Sequence, residues 1–314
     1  MEKVHPLGTV NVAGSAGGKR PFRFGVVAAS ARSADEWIHK ARTVESLGFS
    51  TLVIPDNLKY TLAPLPALAV AVAATTSLRV GTYVLANDFR NPVMLAKDVA
   101  TLDLLSGGRF ELGIGAGRPA AAAENRMLGQ PFDAGAVRVE RLGESLGMLK
   151  ALLAGQRVAS GGRFYPVADA EISPLPVQQP LPILVAGSGP QMLRLAARYA
   201  DIAAFGLPPE APESVLAEKI GILRDAAGER FEQIELNINL MAVGRHVPRY
   251  VGTQLGLTAE ALAAQGSAAA LTGSPDEMCE QLIARRERLG ISYVLVSDEL
   301  MDSLAPVVER LAGR

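Results

Sequence analysis

The run Gly187-Ser188-Gly189-Pro190 follows an apolar stretch and opens an amphipathic one. Backbone N–H groups at such a turn converge on a single anion, and a helix starting at the proline adds positive potential. A plain strand-to-helix turn has the same composition, so spacing alone leaves both readings open. The run is not the dinucleotide fingerprint, which needs another glycine two residues after Pro190. Nor is it Gly-x-Ser-x-Gly, so it gives no hydrolase nucleophile elbow. A second run, Gly113, Gly115 and Gly117, either clears room for a flat ring and its side chain or makes a flexible entry to the segment 116–135. That segment is long for a compact domain, which favours a binding loop or lid.

Proton-transfer groups are few. The three histidines are His5, His39 and His246. His246, in Gly-Arg-His-Val-Pro-Arg, is the best-placed donor, with Glu124 and Tyr83 behind it; a merely solvated surface ring is its alternative. No two histidines stand four apart, and no Cys/His cluster exists, so the sequence gives no metal site. Trp37 reads as a packing residue on the first helix. Arg138 and Arg141 read as partners in structural ion pairs.

These residues need a scaffold, and the apolar pattern supplies one. Strands are expected at 22–28, 51–55, 79–85, 110–114, 181–186, 201–205, 234–243 and 293–297. Helices are expected at 33–47, 65–75, 92–105, 136–154, 191–199, 212–227, 275–289 and 303–312. Ser33 or Asp35 suits the start of the first helix, Pro92 the start of the third, and Ser106-Gly107-Gly108 its end. Segment 156–176 is an excursion turning at Gly161-Gly162, and 244–272 is a second. Strict alternation of strand and helix with no dividing linker predicts one (β/α)8 TIM barrel with insertions over 22–314; an open doubly wound sheet is the alternative. In a barrel the chemistry gathers at the carboxyl ends of the strands.

Bulk properties narrow the class. The chain has 314 residues, 49% of them apolar, and a net charge of −1. No overall field favours nucleic acid or an anionic membrane. Residues 1–21 are glycine-rich without an apolar core, and read as a flexible leader rather than a signal peptide. The apolar run 62–74 is shorter than the roughly 20 residues a spanning helix needs and contains Pro64 and Pro66. One cysteine, Cys279, cannot form an internal disulfide, which fits a cytoplasmic protein.

The stretch from Arg79 to Gly117, together with Gly-Phe-Ser-Thr-Leu-Val-Ile-Pro-Asp-Asn at 48–57, the segment 181–205 and the segment 271–296, resembles the bacterial-luciferase-like superfamily. Within it the chain resembles the branch of oxidoreductases that use coenzyme F420, a deazaflavin. The resemblance implies hydride transfer between the deazaflavin C5 and a small organic substrate, with the 187–189 loop on the cofactor phosphate. It further implies a non-proline cis bond at Tyr83–Val84 behind the ring, and cofactor contacts from Asp56, Tyr83, Val84, Gly115, Gly187, Ser188 and Gly189. Relatives often carry Asp-His where this chain has Asp56-Asn57. Asparagine donates a hydrogen bond but exchanges no proton near neutral pH. Asn57 is therefore expected to face the reacting centre as a donor, with His246, Glu124 or water handling protons. Arg118, Arg126 and Lys59 are candidates for a phosphate or the acidic cofactor tail. The alternatives are an FMN-dependent monooxygenase on the same barrel, or a cofactor carrier without turnover. Members of this family often pair through exposed helices, so a homodimer is expected.

Overall fold

The computed structural model describes residues 20–314, so the leader read at 1–21 lies outside the described residues except for its last two. Eight parallel strands make the barrel: β1 Arg23–Val27, β2 Thr51–Ile54, β3 Arg79–Thr82, β4 Phe110–Gly115, β5 Ile183–Ala186, β6 Ile202–Ala204, β7 Glu235–Leu240 and β8 Ile291–Ser297. Each pairs with its neighbours in chain order, and β8 pairs with β1, closing the ring. The open-sheet alternative is thereby excluded.

Eight helices surround it: α1 Ala34–Ser46, α2 Pro64–Ala74, α3 Pro92–Leu105, α4 Gly135–Leu153, α5 Pro190–Tyr199, α6 Glu213–Ala227, α7 Pro275–Leu289 and α8 Met301–Leu311. Their starts are chemically marked. Ser33 accepts the Glu36 N–H ahead of α1, and Asn91 accepts the Val93 N–H ahead of α3. Ser274 and Glu277 form a reciprocal capping box at α7. Proline occupies the first position of α2, α3, α5 and α7, where its missing N–H has no partner to lose. Gly290 ends α7 at φ 78°, a left-handed conformation that costs glycine little.

The structure departs from the expected elements in three places. The third strand stops at Thr82, where the Tyr83–Val84 peptide is cis, and resumes as Leu85–Ala86 against Ile114 and Gly115 of β4. The seventh strand ends at Leu240. Ala242–Val243 peels off to pair with Ala270–Leu271, a contact between segments about thirty residues apart that periodicity does not reveal. The segment 116–135 is not all loop, since it holds the helix Ala122–Met127. The excursion 156–176 does contain two short antiparallel strands, Val158–Ser160 and Val167–Ala170. The other excursion carries helices Arg249–Gln254 and Ala259–Ala264.

Apolar side chains fill three zones, the third a small cluster of Ala242, Val251, Ala259, Leu262 and Ala270 at the second excursion. The largest lies between strands and helices, where Trp37 is buried and its Nε1–H donates to the Ala67 carbonyl of α2 at 2.7 Å. Another fills the barrel lumen with Val53, Leu184, Ile202, Ala204, Tyr293 and Leu295, topped by Val27, Tyr83, Val84 and Ala186.

Below the lumen, at the amino ends of the strands, lies a charged floor. Arg23 donates to Glu111 at 2.6 Å and to Glu235 at 2.7–2.9 Å, and its guanidinium lies 3.7 Å from the Tyr293 ring centroid. Arg79 reaches the same Glu111 oxygen at 2.6 Å. Burial alone would raise the Glu111 carboxyl; the guanidiniums of Arg23 and Arg79 outweigh it and hold the group below the ordinary carboxylate range. Arg141 makes the expected ion pairs, to Asp88 and Asp133. Arg138 makes none among the described residues: it donates to the carbonyls of Asp133, Ala116 and Gly117, pinning the exit of β4. Among the described residues no helix is long and apolar enough to cross a membrane, and no group of three or more His, Cys, Asp or Glu is arranged to hold a metal.

Candidate active site at the barrel mouth

The carboxyl ends of β2 to β5 carry most of the residues singled out by sequence. Asp56 follows β2. Its Oδ2 accepts the Ala86 N–H at 3.0 Å and the Arg90 guanidinium at 2.5 Å, with a second Arg90 contact at 3.3 Å. The carboxylate thus fixes the chain just beyond the Tyr83–Val84 bond and anchors the loop leading to α3.

Asn57 is bonded at both ends of its amide. Oδ1 accepts the N–H groups of Lys59 and Tyr60 at 2.8 and 2.9 Å, a side-chain turn of the kind asparagine favours. Nδ2 donates to Glu124 Oε1, and the other Glu124 oxygen accepts the Leu58 N–H at 3.3 Å. Two of the residues expected to handle protons or hydrogen bonds, 67 positions apart, therefore meet at one rim of the mouth. Glu124 reaches it from the short helix Ala122–Met127, which the sequence did not show. Six residues give no periodicity to read.

Tyr83 points into the lumen. Its hydroxyl donates to Asn237 Oδ1 at 3.2 Å, and Asn237 Nδ2 donates in turn to the Tyr293 carbonyl at 3.2 Å. Burial pushes the Tyr83 phenol well above its ordinary value, so it stays protonated at neutral pH. Val84 lies beside the glycines of β4. A Cβ added at Gly113 would stand 1.9 Å from the Thr82 carbonyl oxygen, and one at Gly115 would stand 3.0 Å from Val84 Cγ2. Both glycines thus let β4 approach the irregular end of β3, so the room they clear is taken by the chain itself.

Gly187, Ser188 and Gly189 join β5 to α5. The Gly187 N–H bonds the Ala204 carbonyl at 2.9 Å, and the Ser188 hydroxyl donates to the Gly206 carbonyl at 2.9 Å, which ties the turn to the end of β6. The N–H groups of Ser188 and Gly189 have no acceptor among the described residues. Gly189 is the cap of α5, makes no side-chain cap, and has open space where a Cβ would stand. Two donors without a partner among the described residues thus stand at a helix start.

His246 is elsewhere. It is exposed, its Nδ1 lies 3.2 Å from Ser303 Oγ of α8, and it lines an open cleft of about 750 Å³ with Arg245, Glu260, Thr272 and Gly273. None of the other predicted site residues lines that cleft. Lys59, Arg118 and Arg126 are exposed, and Arg118 lies near the Tyr250 phenol. Tyr250, on the excursion helix Arg249–Gln254, donates to Met241 Sδ at 3.0 Å. Burial raises its phenol, with Arg118 pulling the other way.

Comparison with known proteins decides the lineage. Residues 19–248 match the family described as luciferase-like monooxygenase. The chain belongs to that family. Among its relatives, the F420-dependent glucose-6-phosphate dehydrogenase of Beutenbergia cavernae is 37% identical over 165 residues, which cover 50% of this chain and 48% of that protein. The protein of the same name from Amycolatopsis mediterranei is 30% identical over 268 residues, 79% of each chain. Across the first relatives the match spans about half to two thirds of their length, 48% and 59% for the first two. In architecture, the coenzyme F420-dependent tetrahydromethanopterin reductase from Methanopyrus kandleri superposes with a TM-score of 0.75 at 17% identity, covering 93% of this chain and 99% of that one. At that identity the likeness concerns the barrel alone.

Sequence reasoning missed the polar stripe of β7. Glu235, Asn237 and Asn239 alternate with Leu236, Ile238 and Leu240. Period-two polarity in a strand of a barrel marks an inner face that is not fully apolar. That alternation was the available signal.

Proposed function

We propose that this luciferase-like protein is an F420-dependent oxidoreductase acting on a small organic substrate. The observation that carries the proposal is the unpartnered pair of N–H groups at Ser188 and Gly189, at the head of α5 and beside an apolar lumen. These residues fit a phosphate-bearing tricyclic cofactor: donors for the phosphate, and an apolar wall of Val27, Val84 and Ala186 for a flat ring. Relatives named for F420 support the reading. When bound, a deazaflavin supplies a two-electron hydride carrier.

The protein's own groups do the rest. Ser188 and Gly189 orient the phosphate. Asp56, through Arg90 and the Ala86 N–H, holds the strand end on which the ring would lie. The apolar lumen excludes water from the reacting carbon. Glu124, both of whose oxygens accept hydrogen bonds, is the group at the rim suited to take a substrate proton, while Asn57 fixes its orientation. His246 lines a different cleft, beside Ser303.

The test is titration of the purified protein with oxidised F420 and, separately, with FMN, followed by ligand fluorescence. Saturable binding of F420, and change of its visible band with alcohols or, from the reduced cofactor, with carbonyl compounds, is the expected outcome. Binding of FMN in preference to F420 would move the protein to the monooxygenase class. Binding of F420 with no turnover on a broad panel would make it a carrier.

A further inference from the structure

We propose that Asn239 is a substrate-contacting residue, and that the substrate it recognises is an alcohol or its carbonyl counterpart on an apolar skeleton. The inference rests on the oxidoreductase reading and names the substrate class for that site.

The orientation follows from β7. Glu235 is tied into the barrel by Arg23, and Asn237 by the Tyr83 hydroxyl and the Tyr293 carbonyl. Alternate residues of a strand share a face, so Asn239 also faces the lumen, two residues nearer the mouth. Its neighbour across the ladder is Leu295, itself a lumen residue. Just past the end of the strand, Met241 accepts the Tyr250 hydroxyl at 3.0 Å and packs with the excursion that follows β7. Asn237 and Asn239 are the same residue type on the same face, but only the first is satisfied. Asn239 Oδ1 is shielded from solvent and has no hydrogen-bond partner among the described residues. Buried polar atoms are nearly always paired, so an orphan at the mouth of a catalytic barrel calls for a ligand.

The chemistry of the group fixes the ligand. A carboxamide carries an acceptor and donors on one planar head. Its oxygen accepts from a hydroxyl, and its nitrogen donates to a carbonyl. One side chain thus serves both members of an alcohol–carbonyl pair by turning about its last bond. A carboxylate could serve only the alcohol, and an aliphatic side chain neither. The ladder neighbour Leu295 belongs to the apolar lumen cluster, so the skeleton around the recognised oxygen is apolar too.

The experiment compares wild type with Asn239→Leu and Asn239→Asp. First, ligand-free melting temperature: Asn239→Leu should melt no lower than wild type, because no bond within the fold is lost. Second, binding of cyclohexanol and cyclohexanone to the ligand-free protein by saturation-transfer NMR. Asn239→Leu should weaken both about tenfold, the effect of one lost hydrogen bond. Asn239→Asp should weaken only the ketone. Third, the affinity for oxidised F420 should be equal in all three proteins. A lower melting temperature for Asn239→Leu would show that the amide is paired within the fold, and would overturn the proposal. So would equal binding of both probes by wild type and Asn239→Leu, absence of probe binding by wild type, or a loss of F420 affinity in the variants. Failure of wild type to bind F420 would refute the oxidoreductase reading alone, because melting and probe binding still decide the role of Asn239.

Discussion

At the amino ends of the barrel strands, Arg23 and Arg79 reach Glu111 at 2.6 Å, and Arg23 also reaches Glu235. At the carboxyl ends, Ser188 and Gly189 hold N–H groups, and Asn239 holds an oxygen, with no partner among the described residues. Both ends belong to the same eight strands. The floor satisfies its charges internally and so serves folding. The mouth leaves polar atoms unsatisfied, which costs stability and is retained where something else is to be bound. Asp56 and Arg90 show that the mouth can form a tight ion pair where the chain itself must be held.

The contrast breaks most visibly at Glu111. Glu111→Ala leaves two half-buried guanidiniums short of a partner, and should cost about 2–3 kcal/mol in urea unfolding. The wild-type pH dependence follows from the same group. Its folded pKa lies below the ordinary 4.5, so its contribution is complete above that value and is lost as pH falls through the lowered one. The variant should lack this acid-side decline, and an unchanged acid limb would show that the floor does not act through Glu111.

Gly189→Asp separates the two regions. An aspartate is a favourable helix cap, and open space surrounds the position, so the melting temperature should hold or rise. The same charge repels a phosphate, so F420 affinity should fall about 100-fold, about 2.8 kcal/mol. A variant that keeps its affinity would place the phosphate elsewhere.

Smaller effects sharpen the border between the regions. Asn57→Ala frees the Lys59 and Tyr60 N–H groups and the Glu124 carboxylate, and should cost about 1–2 kcal/mol. Hydrogen exchange should quicken in 57–61 and 122–127 and nowhere on the floor. Tyr83→Phe removes one hydrogen bond to Asn237, and should cost about 1 kcal/mol by thermal denaturation.

The barrel was legible because its signals are local. Apolar runs mark strands, Pro92 marks a helix start, and Ser106-Gly107-Gly108 marks its end. The glycine turn at 187–189 was legible for the same reason. What escaped depends on closure of the ring. Arg23, Glu111 and Glu235 lie 88 and 212 positions apart, and nothing in their neighbourhoods announces that they meet. The partnership of Asn57 with Glu124 is equally non-local, and it shows that the asparagine's hydrogen bonds serve the rim itself. The expectation for His246 rested on its lying after the seventh strand. Ala242–Val243 departs into a separate small sheet, and His246 comes to lie beside Ser303 at the start of α8.

Cys279 sits in α7, 8% exposed, and burial raises its thiol above the ordinary value. At neutral pH it offers little thiolate to an electrophile. The chain is accordingly a ready blank for attaching dyes: a cysteine introduced at Tyr250, across the opening, would take a maleimide fluorophore in near isolation, and its emission would report in real time on what enters the barrel.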